Sequence, residues 1–266
     1  MNNNEKEMLS ILIEGKEKYG YVGIKSEFEA EGSRMDELLR ISEITRKSGL
    51  NMGIKIGGCE AVSDLYNCKL LGAEYIIAPM IETPYALSKY IDAKNKVFNE
   101  SERNDVKFLF NLETISAFEK IDSIIEVGQK QNGVDGIVFG RVDFVGSLGF
   151  DRSKIVSDEI LQYINPVAQK CKDHNLEFVV GGAVAKETIS SVEEVRKTYL
   201  TRFETRKIIF DANILDSNNL NKALENAVKF ELLWLKNKQD YYNNISVEDI
   251  SRIEMLSDRI KSFGCE

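Results

Sequence analysis

Three stretches of the sequence decide the fold class: residues 75–82 read YIIAPMIE, residues 107–114 read KFLFNLET and residues 136–143 read GIVFGRVD. Each stretch contains a short apolar run and carries an acidic residue at or near its end. Continuous apolar runs of this length are typical of strands that are covered on both faces, as in parallel α/β sheets. The three stretches therefore predict buried strands that end in polar side chains.

The same alternation extends along most of the chain. Further strand-like runs lie at residues 21–28, 52–57, 176–182 and 202–210, and segments of helical period lie at residues 35–48, 60–71, 85–97, 115–128, 157–174 and 187–199. A spacing of roughly 22–40 residues between strands is that of a repeated βα unit. Seven such units predict an α/β fold of the TIM type, a (β/α)8 barrel with one strand hidden from the pattern or one strand short. A doubly wound sheet is the alternative, but no GxGxxG motif follows the first strand.

The end of the chain departs from this alternation. Residues 219–240 and 246–262 predict two C-terminal helices with no strand between them. These helices either close the barrel or pack on another subunit, in which case Leu232, Leu233 or Trp234 becomes buried on association. Because no Gly/Ser-rich linker interrupts the sequence, we expect residues 1–266 to form a single barrel domain.

Composition excludes several classes of protein. Thirty-five Lys and Arg against 43 Asp and Glu give a net charge of −8, which disfavours a nucleic-acid-binding protein. No apolar run reaches the roughly 18 residues of a membrane span, and the N-terminus does not resemble a signal peptide, so we expect a cytoplasmic protein. The cysteines (Cys59, Cys68, Cys171 and Cys265) lack CxxC spacing and predict neither a zinc site nor disulfides. The single histidine, His174, excludes most His-dependent triads and poly-His metal sites.

Charged side chains stand at the predicted ends of most strands. They are Lys25, Glu27 and Glu29 on the first strand, Lys55 before Gly57 and Gly58 on the second, Glu82 on the third, Glu113 on the fourth, Arg141 and Asp143 after Gly140 on the fifth, and Glu204 with Arg206 on the seventh. Reactions in barrels of this kind take place at the carboxyl ends of the strands. Converging carboxylates with cations among them are what a site for a metal and an anion requires.

Each of these residues alone has a structural explanation. Glu113 or Asp143 could cap the helix that follows its strand, Lys55 could pair with a neighbouring acid, and Gly57-Gly58 could form only a turn. The recurrence of charge at the same end of successive strands favours a functional site, because burying a charge without a partner is costly.

Several of these motifs, in matching order and spacing, resemble the HpcH/HpaI aldolase/citrate lyase β-subunit family. The motifs are Ile54-Lys55-Ile56-Gly57-Gly58, Leu71-Gly72-Ala73 leading into Ile77-Ala78-Pro79-Met80-Ile81-Glu82, Asn111-Leu112-Glu113-Thr114, and Val134 to Asp143 with Ser147-Leu148-Gly149. The resemblance covers about residues 50–150 and extends more loosely to about residue 210. It implies a barrel of the phosphoenolpyruvate/pyruvate type and a carbon–carbon lyase or aldolase.

Members of this family hold a divalent cation through a glutamate and an aspartate on successive strands, which Glu113 and Asp143 match. Oxygen ligands without nearby His or Cys suit Mg²⁺ or Mn²⁺. The resemblance further implies a small carboxylate substrate, such as a 2-keto acid, and an enolate intermediate that the metal stabilises. Relatives exchange a C-terminal helix between subunits, so we expect a homo-oligomer.

The sequence departs from the family pattern at the catalytic positions. Lys55 stands where relatives often have an arginine, and it can supply the charge but not the bidentate fork. The family's acid/base histidine is missing, so Glu27, Glu29, Glu82 or a metal-bound water would have to transfer protons. Arg141 replaces a common proline.

From the resemblance we expect Lys55, Glu82, Glu27 and Arg141 to be catalytic. We further expect the anionic oxygens of the substrate to be bound by Lys55, Gly57, Gly58, Gly140 and Arg141. Two alternatives remain open: a barrel that binds a metabolite or a partner protein without turnover, and a phosphoenolpyruvate-handling enzyme of the same superfamily. Retention of both metal carboxylates favours an enzyme over the non-catalytic barrel.

Overall fold

The computed structural model describes residues 1–263, so Cys265 lies outside the described residues. Eight strands form a closed barrel in sequence order. They are β1 (Tyr21–Glu27), β2 (Asn51–Lys55), β3 (Tyr75–Ala78), β4 (Lys107–Leu112), β5 (Gly136–Gly140), β6 (Glu177–Gly181), β7 (Arg202–Glu204) and β8 (Ile208–Asp211). Strands β1 to β7 pair in parallel, whereas β8 is antiparallel to both β7 and β1. The predicted TIM-type barrel is confirmed.

The eighth strand lies inside the run that the sequence pattern assigned to the seventh. Residues 202–210 form most of a hairpin, in which the backbone N–H of Thr205 donates to the carbonyl of Ile208 at 2.9 Å. A parallel eighth strand would need a crossover connection of about a dozen residues, and the three residues between β7 and β8 leave room only for a hairpin. The barrel is therefore not one strand short, and its last strand runs in the opposite direction.

Helices surround the barrel. They are α1 (Asn3–Lys18), α2 (Met35–Ser48), α3 (Val62–Leu71), α4 (Pro84–Val97), α5 (Glu100–Arg103), α6 (Ile115–Glu119), α7 (Ile121–Gly128), α8 (Arg141–Ser147), α9 (Asp158–Asp173), α10 (Ile189–Thr198) and α11 (Leu220–Ser262), with 3₁₀ helices at Arg152–Val156 and Ala212–Asp216. The sequence pattern missed α1, which begins with a capping box between Asn2 and Glu5.

The junction after β5 differs from its prediction. Residues 136–143 were expected to form one strand, but the strand ends at Gly140 and α8 begins at Arg141. Asp143 therefore lies on the first turn of a helix rather than at a strand end. Apolar residues continue through the junction, so the hydrophobic pattern alone does not mark this boundary.

The C-terminal segment forms a single helix of 43 residues, whereas the sequence pattern predicted two helices. Its first half packs along α1, and the hydroxyl of Tyr21 donates to the carbonyl of Ala223 at 2.6 Å. Leu233 and Trp234 are already buried within the chain, whereas Leu232 remains half exposed. Of the three side chains expected to become buried on association, only Leu232 is still accessible.

The barrel interior contains its own small apolar layer. Ile77, Leu109, Val138 and Val179 pack together inside the strands, apart from the main core between strands and helices. Val138 also lines the cavity at the carboxyl end of the barrel, so this layer forms part of the floor of that cavity. Within residues 1–263, no helix is both long and apolar enough to cross a membrane.

Candidate active site

A cavity of 510 Å³ opens at the carboxyl end of the barrel. Five of its lining residues are the last residues of their strands: Glu27 of β1, Lys55 of β2, Gly140 of β5, Gly181 of β6 and Glu204 of β7. Its charged and amide side chains are Lys25, Glu27, Glu29, Lys55, Asn111, Glu113, Asp143, Arg152, Glu204, Arg206 and Glu231. Most of the predicted strand-end charges converge on this cavity, with Glu82 and Arg141 as exceptions.

Glu113 is the most constrained carboxylate of this cavity. It is 1% exposed and follows β4 directly. Its Oε1 accepts from the backbone N–H of Met80 at 2.9 Å, and its Oε2 accepts from the amide of Asn111 at 2.6 Å. Met80 has a left-handed φ of 50°, a strained conformation for a residue with a side chain, and this conformation accompanies the hydrogen bond to Glu113. A Cβ at Gly140 would lie 2.7 Å from Glu113 Oε2, so the glycine makes room for the carboxylate.

Two side chains of the same cavity, Asp143 and Asn111, have oxygens without protein partners within residues 1–263. Asp143 is exposed and lines the same cavity, and within residues 1–263 its carboxylate makes no ion pair or hydrogen bond. The Oδ1 atom of Asn111 is buried and accepts no hydrogen bond from any described residue. Although no group of three His, Cys, Asp or Glu residues converges in the described chain, Mg²⁺ commonly binds to only one or two carboxylates and keeps several waters. Glu113, Asp143 and Asn111 therefore fit a hard divalent cation.

Lys55 lies between two carboxylates at the end of β2. Its Nζ is 2.9 Å from Oε2 of Glu29 and 3.4 Å from Oε2 of Glu113, and the side chain is buried. Burial favours the neutral amine, but the negative charges of Glu113 and Glu29 outweigh it and raise the pKa of Lys55 above its ordinary value. Lys55 is therefore an ammonium at neutral pH, which suits a counter-charge better than an amine nucleophile.

The opposite side of the cavity is a closed ion-pair cluster. Lys25 Nζ lies 2.6 Å from Glu204 and 3.2 Å from Glu27, and all three side chains are buried. Burial opposes the charge on Lys25, yet Glu204 and Glu27 raise its pKa; burial likewise opposes the charge on Glu27, yet Lys25 lowers the pKa of Glu27. A Cβ at Gly181 would lie 2.9 Å from Glu204 Oε1, so this glycine also makes room for a carboxylate.

Three predicted site residues lie away from the cavity. Glu82 is exposed and accepts a hydrogen bond from the Thr114 hydroxyl at 2.8 Å. Neither Gly57 nor Gly58 lines the cavity, and the Gly57 N–H donates to Asp64 on α3 at 2.7 Å. The structure thus does not bring these three residues to the cavity, and their predicted roles stay predictions.

Arg141 also differs from its prediction. Its guanidinium is fully buried and donates to the carbonyls of Gly181 (3.3 Å) and Gly182 (3.1 and 2.8 Å) and to the Ser191 hydroxyl (2.6 Å). Burial lowers its pKa to about 10. Arg141 does not line the cavity and instead holds the loop after β6, so its predicted binding of anionic oxygens stays a prediction. In that loop Gly182 and Ala183 have left-handed φ angles of 84° and 50°.

Sequence reasoning missed several residues of the cavity. It noted Lys25 and Glu204 as strand-end charges but gave them no role, and their pairing joins residues 179 positions apart. It also missed Asn111, whose position two residues before Glu113 on a strand places both side chains on one face. Nothing in the pattern distinguished Arg152, which follows α8. His174 lies before β6, at the amino end of that strand and away from the cavity, and its Nδ1 is 2.9 Å from Gln129 Oε1.

The comparisons with known proteins agree with this architecture. The model of the HpcH/HpaI aldolase/citrate lyase family matches residues 59–227. An HpcH/HpaI aldolase from Desulfitobacterium hafniense has a TM-score of 0.60 at 14% identity, covering 79% of this chain and 84% of that chain. An HpcH/HpaI aldolase/citrate lyase family protein from Burkholderia cenocepacia has a TM-score of 0.59 at 13% identity, with coverage of 76% and 83%.

A citrate synthase variant is also similar, with a TM-score of 0.52 at 15% identity and coverage of 84% of this chain and 89% of that chain. At these identities the structural likeness shows the fold. Among curated proteins, none matches this chain in sequence. The family model, by contrast, spans well over half of the 266 residues. The chain therefore belongs to the HpcH/HpaI aldolase/citrate lyase family.

Proposed function

We propose that this protein is a divalent-metal-dependent carbon–carbon lyase that acts on a 2-keto acid or a related small carboxylate through an enolate. Membership of the family suggests lyase or aldolase activity. The observation that carries the finer proposal is the grouping of Glu113, Asp143 and the Lys55 ammonium in one cavity. The buried Asn111 oxygen, which has no donor in the described part of the chain, lies beside them.

The charge of the cavity supports a bound cation. Six carboxylates line it, against four Lys and Arg side chains. A carboxylate substrate would be repelled by this excess of negative charge, and a divalent cation would offset the repulsion. We propose that Mg²⁺ or Mn²⁺ is held by Glu113 and Asp143, with Asn111 close by. When bound there, the ion would stabilise negative charge on the oxygens of the keto acid.

The chain's own residues supply the remaining chemistry. In the cleavage direction a base takes the proton of a substrate hydroxyl, the carbon–carbon bond breaks, and its electron pair forms the enolate of the keto acid product. The Lys55 ammonium lies beside Glu113 and would stabilise the enolate oxygen more than the neutral ketone, which lowers the barrier. A proton then returns to the enolate carbon.

Among the three glutamates predicted for proton transfer, the structure favours Glu29. Glu82 lies outside the cavity. Glu27 is buried against Lys25, which lowers its pKa against the effect of burial and makes it a weak base. Glu29 lines the cavity, retains partial exposure and pairs with Lys55, so we propose Glu29 for the proton transfer.

The proposal includes a homo-oligomer and the cytoplasmic location expected from the sequence. The second half of α11, from residue 243, is largely exposed and carries an apolar series of side chains: Val247, Ile250, Ile253, Leu256 and Ile260, followed by Phe263 just after the helix. Deleting residues after 242 should lower the number of subunits per particle, as found by light scattering, and should leave the barrel folded. An unchanged number of subunits would contradict association through this segment. Truncation after about residue 215 is unsuitable, because it also removes the buried Phe230 and Trp234.

Enolate formation can be tested without knowing the natural substrate. Pyruvate and 2-oxobutyrate are incubated with the protein and Mg²⁺ or Mn²⁺ in D₂O, and deuterium at C3 is followed by NMR. We expect exchange that chelation abolishes and added metal restores. Borohydride trapping should give no adduct on Lys55, and such an adduct would overturn the metal–enolate proposal. No exchange with either ion would favour a barrel that binds without turnover.

A further inference from the structure

The cations of the cavity differ in their partners. Lys25 bonds to Glu204 and Glu27, Lys55 to Glu29 and Glu113, and Arg206 lies 3.3 Å from Glu31. Arg152 is different: within residues 1–263 its guanidinium makes no ion pair and no hydrogen bond, although it lines the cavity. An arginine stays positively charged at physiological pH, so Arg152 presents a permanent charge that no described residue neutralises.

Arg152 also lies where two cavities meet. A second, more open cavity of 500 Å³ adjoins the first and shares Val142, Asp143 and Arg152 with it. The other residues of the second cavity include the apolar side chains of Met80, Val145 and Phe150. A substrate whose keto acid lies beside Glu113 and Asp143 can extend past Asp143 into this second space, and Arg152 lies along that route.

The position of Arg152 is fixed by the local fold. It begins the 3₁₀ helix Arg152–Val156, whose first turn is capped by the Asp151 carboxylate accepting from the Ser153 N–H at 2.9 Å. Ile155 of the same helix is buried in the core. The backbone is therefore anchored while the exposed guanidinium remains available, and its planar fork suits a carboxylate or a phosphoryl group.

We propose that Arg152 binds a second anionic group of the substrate, a carboxylate or a phosphoryl group at the end remote from the keto acid. This site rests on the proposed function for the placement of the keto acid. It makes the substrate class a keto acid with an acidic end group, and it assigns Arg152 a role in specificity.

Three ligands with the same keto acid head test this site: 2-oxovalerate, which ends in a methyl group, 2-oxoglutarate, which ends in a carboxylate, and 4-phosphono-2-oxobutanoate. Their dissociation constants are measured by calorimetry on the Mg²⁺-loaded protein. The wild type should bind an acidic ligand more tightly than 2-oxovalerate. Arg152→Gln should raise the dissociation constant of that acidic ligand about 10- to 100-fold. Binding of 2-oxovalerate should change less than twofold. The tighter of the two acidic ligands identifies the end group.

Lys154→Gln is the matched control, since Lys154 lies exposed on the same 3₁₀ helix, makes no ion pair in the described chain and lines neither cavity. It should leave all three affinities unchanged. Equal binding of the three ligands to the wild type, or equal losses in the two variants, would overturn the site. If the discrimination is present but no deuterium exchange occurs, the Arg152 site stands and the lyase proposal fails.

Discussion

The two sides of the cavity use charge in opposite ways. We call Lys25, Glu27 and Glu204 the β1–β7 wall, and Asn111, Glu113 and Asp143 the β4–β5 wall. On the β1–β7 wall every charge is buried and paired within 3.2 Å. On the β4–β5 wall the Asp143 carboxylate and the Asn111 oxygen have no partner among the described residues.

This difference separates charges that the fold itself satisfies from those that await a ligand. Removing one member of a buried pair leaves an uncompensated charge, so the β1–β7 wall should matter for stability. An exposed, unpaired carboxylate contributes little to folding and is free to bind a cation. We therefore expect variants of the two walls to differ in which property they change.

The largest effect on stability is expected for Lys25→Met. It leaves Glu27 and Glu204 buried without their cation, and we expect a loss of about 3–5 kcal/mol in the free energy of unfolding. Urea denaturation followed by circular dichroism measures this loss. The double variant Lys25→Met/Glu204→Gln should recover part of it, because only one uncompensated carboxylate remains. A loss below about 0.5 kcal/mol would remove the distinction between the two walls.

Lys55 lies between the walls and should affect the rate most. Lys55→Met removes the counter-charge of the enolate, and loss of one such group typically costs about 10²–10³ in rate. The rate of deuterium exchange should fall by this factor, with little change in Mn²⁺ affinity. Lys55→Arg should restore part of the rate if the guanidinium fits between Glu29 and Glu113. An exchange rate unaffected in Lys55→Met would exclude Lys55 from the reaction.

A smaller and more selective effect is expected for Asp143→Asn on the β4–β5 wall. Loss of one ligating carboxylate should weaken Mn²⁺ binding at least about tenfold, since even loss of a group that only supports a ligand costs 10- to 100-fold. The free energy of unfolding without metal should change by less than about 0.5 kcal/mol. Electron paramagnetic resonance of free Mn²⁺ gives the affinity. Destabilisation of the metal-free protein with intact Mn²⁺ binding would reverse the roles of the two walls.

The smallest effect is expected on stability at acidic pH. The pKa of Glu27 is lowered in the folded protein, burial notwithstanding, because Lys25 stabilises the carboxylate. Its contribution to stability is therefore complete above the ordinary glutamate pKa of about 4.3 and is lost as the pH falls through the lowered folded value. Glu27→Gln should be less stable than wild type at pH 7, with a difference in the free energy of unfolding that narrows as the pH falls below about 4.3 in urea titrations. A gap that widens on acidification would contradict the assignment.

Much of the fold and part of the site could be predicted from local patterns. Apolar runs indicate which segments are buried, and their spacing indicates the βα repeat, so the barrel was predictable. Because parallel strands end at one edge, the convergence of Lys55, Glu113 and Asp143 on a common cavity was predictable as well. Their order and spacing along the chain were enough to identify the family.

The tertiary structure decided what the pattern does not encode. One strand-like run at residues 202–210 forms most of two antiparallel strands, because the turn at Thr205 depends on hydrogen bonds rather than on hydrophobicity. Arg141 turns away from the cavity because β5 ends at Gly140 and α8 begins at once, and the direction of a side chain depends on backbone angles at that junction. The pairing of Lys25 with Glu204 across 179 residues exists only after the barrel closes. The sequence thus determines which strands end in a charged residue, whereas the packing of distant segments determines which partner neutralises that charge.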